Sequence, residues 1–91
     1  MIASMKELTN EFQKRLAYLG IVSQALAMNG FCIYTDMYIY SLEIRIHVDS
    51  IKEACQAYKL LHPYKGTWKE REVTTHKRND GTKFYVIELN F

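Results

Sequence analysis

The chain has 91 residues, 48% hydrophobic and 24% charged, the composition of one folded domain and not of a disordered or low-complexity segment. Twelve Lys and Arg against ten Asp and Glu leave a net charge of +2, which excludes a strongly basic nucleic-acid tail and an acidic decoy. What stands out is the aromatic content: seven Tyr, four Phe and one Trp.

The first 29 residues predict a helix. Ser4 and Glu7 have the spacing of a capping box, in which each side chain satisfies a free backbone N–H. Leu8, Phe12, Leu16, Leu19, Val22 and Leu26 recur every three or four residues as one apolar stripe. Asn29-Gly30 supplies the left-handed stop. Gly20, mid-helix, costs about 1 kcal/mol relative to Ala, so a bend or a close packing neighbour is expected there.

The period then changes. Phe31, Cys32, Ile33 and Tyr34 are strand formers, and Leu42, Ile44, Ile46 and Val48 alternate with Ser41, Glu43, Arg45 and His47 as a half-buried strand. A reversal near Asp36 makes the pair a hairpin. The capping spacing returns at Ser50 and Glu53. Ile51, Ala54, Cys55, Tyr58 and Leu61 line one side of a second helix, which ends at His62-Pro63.

The last third is a second hairpin, with strands over 68–77 and 83–91 around Asn79-Asp80-Gly81. A two-residue turn sets Val73 opposite Glu88. A type I turn with Gly81 as bulge residue sets Val73 opposite Ile87 and Thr75 opposite Tyr85. Apolar cross-strand pairing favours the bulged register, although it also faces Glu72 with Glu88.

The expected fold is α+β: a single domain over 1–91, a two-layer sandwich of αββαββ order. Its four-stranded, mostly antiparallel sheet carries both helices on one face. Leu42, Ile44, Ile46, Val48, Val73, Tyr85, Ile87, Leu89 and Phe91 would meet the helix stripes.

Chemistry is sparse. Cys32, His47, Cys55, His62 and His76 lack the paired spacing of a zinc site. Cys32, on a core strand, and Cys55, on a buried helix face, are expected as inert free thiols. No glycine-rich phosphate loop is present. Glu70 and Glu72 share a strand face by alternation, and Lys69 and Arg71 between them favour a solvated face over an acid–base pair. We therefore expect no enzyme, no metal and no cofactor. With neither a charged leader nor an apolar span, the expectation is a cytoplasmic protein without membrane contact.

Two binding surfaces are candidates. The first, for a protein partner or a second copy in a homodimer, joins the 37–40 turn region to the uncovered sheet face. It includes Tyr38, Tyr40, Trp68, Glu70, Glu72, His76, Phe84 and Val86, with Arg45 and His47 in its polar rim. The second is a nucleic-acid surface on the last hairpin, where Lys69, Arg71, Lys77, Arg78 and Lys83 lie among aromatics. In size and organisation the chain resembles small single-domain proteins of phages and mobile elements, anti-CRISPR-type inhibitors among them. The resemblance implies a protein that acts by occupying a surface on a host complex.

Overall fold

A computed structural model of the chain describes residues 5–38 and 41–91. The elements are α1 (Met5–Met28), β1 (Cys32–Tyr38), β2 (Ser41–Val48), α2 (Ile51–Leu61), β3 (Lys69–Lys77) and β4 (Lys83–Asn90), with a 3₁₀ turn at His62–Tyr64. The strands form one antiparallel sheet in the order β1-β2-β4-β3. This is the expected α+β fold in the expected element order. Because β2 and β3 flank β4 and both oppose it, they run parallel to each other, and β2-α2-β3 is a split β-α-β unit.

The core follows from strand alternation. Leu42, Ile44, Ile46 and Val48 of β2 are buried, and register places Leu89, Ile87 and Tyr85 of β4 beside the last three. Leu19, Val22 and Leu26 of α1 and Ala57 and Leu61 of α2 join the same buried cluster. Each fully buried Leu, Ile or Val there contributes roughly 1.5–3 kcal/mol. Val73 shares this side but is 48% exposed, because β3 is an edge strand.

Only part of the α1 stripe is used. Phe12 and Leu16 are half-buried, and Leu8 is 55% exposed. A helix of 24 residues spans roughly 36 Å at 1.5 Å per residue. The eight residues of β2 span roughly 27 Å, so the first turns of α1 outrun the sheet. Nothing packs within 4 Å of where a side chain at Gly20 would begin, which removes the close neighbour expected there.

The helix ends are satisfied locally. Gly30, at φ 83°, donates its N–H to Ala27 O at 3.0 Å, and Phe31 donates to Leu26 O at 3.1 Å, closing α1 with a Schellman motif. Ser50 Oγ accepts the Glu53 N–H at 3.1 Å, while Glu53 Oε2 accepts the Asp49 N–H at 2.9 Å. The box at α2 is thus reciprocal, shifted by one residue on its return arm. The capping residue expected for α1, Ser4, lies outside the described residues.

The second hairpin takes the bulged register. Val73 faces Ile87, Thr75 faces Tyr85, and Glu72 faces Glu88. Gly81, at φ 90°, donates to Arg78 O at 3.0 Å, the left-handed position that glycine fills without penalty. Asp80 Oδ1 accepts the backbone N–H and the hydroxyl of Thr82 at 2.9 and 2.6 Å, and these bonds hold its carboxyl below the usual carboxylate range.

Two expectations are corrected. Asp36 is not a turn residue: β1 continues through it to Tyr38, and Asp36 faces Glu43 in the ladder. A second irregularity, absent from the alternation argument, interrupts β3 between Glu70 and Glu72. The extra residue, Arg71, shifts the phase of everything before it.

Candidate functional site: the ring row on the open sheet face

The sheet face turned away from the core carries a row of rings contributed by all four strands. Tyr34 of β1 lies 4.7 Å from His47 of β2, centroid to centroid, with planes tilted by 56°. His47 stacks on Phe84 of β4 at 5.6 Å and 19°, and Phe84 stacks on His76 of β3 at 5.1 Å and 20°. The Arg78 guanidinium sits 4.8 Å from the Phe84 centroid, within cation–π range. Such contacts contribute about 0.5–1.5 kcal/mol each beyond burial.

Sequence positions explain the row only once the ladders are known. His47 faces both Cys32 of β1 and Val86 of β4, and Val86 faces Thr74 of β3. Val86 is 5% exposed yet stands outside the main core cluster. It is the small apolar floor of this second surface. The rings remain accessible: Tyr34 is 50% exposed and His76 is exposed.

Ion pairs surround the row. Arg45 reaches Asp36 at 3.1 Å, Arg71 reaches Glu43 at 2.7 Å, and Arg78 pairs with Asp49. Being partly exposed, these pairs contribute at most about 1 kcal/mol each, so they position side chains more than they stabilise the fold. The ladders place Lys69 and Arg45 on this side with Asp36, Glu43, Glu72 and Glu88. Arg71 reaches it through Glu43 and Arg78 through the Phe84 ring, and these eight formal charges cancel.

The electrostatics favour the neutral forms of two of the rings, His47 and Tyr34. Burial is the main cause that lowers the His47 pKa, and the nearby Arg45, His76 and Arg78 lower it further; His47 is therefore uncharged at neutral pH. Hydrogen bonding to the Cys32 thiol is the main cause that raises the Tyr34 hydroxyl above its ordinary value. His76 Nε2 lies 2.7 Å from Thr74 Oγ1, which orients the outer imidazole.

Of the residues expected to bind a protein partner, Glu72, His76, Phe84 and Val86 meet on this face. Tyr38 stands at the far end of β1 on the same side, 66% exposed, and Tyr40 lies outside the described residues. Trp68 and Glu70 are placed differently from the expectation. The bulge turns both towards α2, where Trp68 packs on the core and its indole N–H donates to Leu61 O at 3.0 Å. Glu70 there accepts the Tyr58 hydroxyl, and burial together with that carboxylate pushes the Tyr58 pKa well above its ordinary value. Glu70 and Glu72 therefore do not form a carboxylate pair on one face.

The expected nucleic-acid residues are also divided. Arg71 and Arg78 are engaged by Glu43 and Asp49. Lys77 and Lys83 face each other across the hairpin on the side away from the ring row, by strand alternation. Only Lys69 remains near the face without an ion pair of this kind. Both cysteines are free and exposed, which corrects their expected burial: Cys32 falls on the open side of edge strand β1, and Cys55 on the outer side of α2. Among the described residues, no three His, Cys, Asp or Glu side chains gather as a metal site, and no helix is long and apolar enough to cross a membrane.

Tyr34 is the residue of the row that sequence reasoning missed. Its signal is its strand alternation with Cys32, which puts it beside His47 only in the register that carries β1 through Asp36 to Tyr38. Comparison of the chain with protein-family models, with curated proteins and with solved structures finds no match in any of the three.

Proposed function

We propose that the chain is a non-enzymatic, cytoplasmic binding module that docks a partner protein on the open sheet face and acts by occupying the partner's surface. The observation that carries this reading is the continuous ring row Tyr34–His47–Phe84–His76, held by stacking on a face whose charges cancel. Aromatic and Arg side chains are enriched where protein interfaces concentrate their binding energy. Rings already held against one another lose little rotamer freedom on docking, so more of the contact energy is realised as affinity. A neutral His47 carries no charge to desolvate.

A single-stranded nucleic acid is the second reading, favoured by the same row, because every base presents a face that stacks on aromatic rings. The cancelling charge favours the protein partner, since phosphate recognition needs unpaired cations. A photo-crosslinking residue at Glu72, on the row side, and another at Lys52, on α2, separate the readings in a lysate of the native host. The expected result is a protein adduct from the Glu72 position that is lost with Phe84→Ala and persists in nuclease. A nuclease-sensitive adduct that fades steeply with salt selects the second reading, and adducts from Lys52 alone overturn both.

A further inference from the structure

We infer that β1 is a docking edge that pairs antiparallel with β1 of a second copy of this chain, joining two sheets into one of twice the width. The two edges of the sheet are unlike. β3 carries Lys69, Arg71 and Lys77 and is broken by the bulge at Arg71, the features that discourage edge-to-edge pairing. β1 has no Lys, Arg or Pro, and its ladder to β2 is unbroken over all seven residues. Its one charge, Asp36, is turned to its own Arg45 at 3.1 Å. Three large side chains on this strand, Tyr34, Met37 and Tyr38, are 50%, 62% and 66% exposed.

The occupant follows from self-complementarity. Residues that face one another across an antiparallel ladder share a face of the sheet. A two-fold pairing that keeps the two helix layers on one side must therefore centre on a residue. Centred on Thr35, it pairs the whole strand: Cys32 with Tyr38 of the second copy, Ile33 with Met37, Tyr34 with Asp36, and Thr35 with itself. Met37 gains an apolar neighbour, and the Tyr34 phenol meets a carboxylate acceptor. Centring on Asp36 sets two carboxylates face to face, and centring on Tyr34 leaves Tyr38 beyond the strand. An isologous contact requires a sequence that matches itself in this way; a strand from an unrelated partner does not. The edge shares Tyr34 with the ring row, but it docks through the backbone ladder of β1, so the inference stands independently of the proposed function.

Sedimentation equilibrium on the full chain tests it, with dimer mass expected. Thr35→Lys, which sets two ammonium groups together at the two-fold axis, is expected to return monomer mass with an unchanged far-UV spectrum. Directly opposed residues in an antiparallel pair lie about 4.5–5.5 Å apart at Cα, within disulfide reach. In a Cys32→Ser, Cys55→Ser background, Thr35→Cys is therefore expected to form a covalent dimer on mild oxidation, and Thr75→Cys on the β3 edge is not. The Thr35→Cys arm keeps the test decisive if Thr35→Lys does not fold. A monomer throughout the micromolar to millimolar range overturns the inference. So does a dimer that resists Thr35→Lys and gives no crosslink at position 35. A monomer whose Glu72 crosslink to a partner survives overturns this inference alone and leaves the proposed function in place.

Discussion

The indole N–H of Trp68 donates to the carbonyl oxygen of Leu61 at 3.0 Å, tying the start of β3 to the end of α2. The last carbonyls of a helix have no partner within the helix, and this one finds a side chain seven residues on. A tryptophan with the composition of a binding anchor is thereby committed to packing.

Trp68→Phe keeps most of the ring and removes the bond, with an expected loss of about 0.5–1.5 kcal/mol. Trp68→Ala also empties a half-buried site, and the expected loss is larger, about 2–3 kcal/mol. Urea unfolding measures both. Equal stability of Trp68→Ala and the parent chain would show that the indole is not structural.

Along α1, position relative to the sheet decides the cost of a substitution. Leu26, fully buried, is expected to lose about 2–5 kcal/mol as Leu26→Ala. Leu8, on the overhanging turns, should stay within about 0.5 kcal/mol as Leu8→Ala. Gly20→Ala is expected to stabilise by about 0.5–1 kcal/mol, because a helix interior favours Ala and no atom stands in the way. Thermal unfolding ranks the three, and a Gly20→Ala variant less stable than the parent would contradict the open environment of that residue.

His47 sets an acid sensitivity. Burial, and after it Arg45, His76 and Arg78, lower its pKa in the fold, so the folded chain binds this proton more weakly than the unfolded chain does. The stabilisation is complete above the ordinary imidazole value of about 6.5 and is lost as pH falls below it. The urea midpoint should drop as pH falls below about 6.5, and His47→Gln should flatten that slope. An unchanged slope in His47→Gln would assign the sensitivity to other groups.

Much of the fold was legible because periodicity is a local signal. The alternation at 41–48, the capping residues Ser50 and Glu53, Gly30, and the choice of the Gly81 register each rest on neighbours within one element or one hairpin. The candidate site was legible only in part. Phe84, Val86, His76 and Glu72 share a face because alternation runs unbroken from the Gly81 turn along both strands as far as these residues. Trp68 and Glu70 were misplaced because one extra residue at Arg71 inverts the alternation, and nothing in the residue pattern of 69–72 marks it.

The sequence by itself determined the apolar stripe of α1, the alternation of β2 and β4, and the helix stops, but not the sides of β3 before its bulge. Tertiary structure alone decided that the two hairpins join through β2 and β4, and how far each element extends. The order β1-β2-β4-β3 brought Tyr34, His47, Phe84 and His76 into one row, and the length of α1 left Leu8 beyond the sheet. The reason is physical: side-chain period is set by backbone geometry within an element, whereas ring stacking and burial depend on contacts between residues far apart in the chain. The aromatic excess is thus divided, with Trp68 packed against the core while Tyr34 and Phe84 lie on the open face.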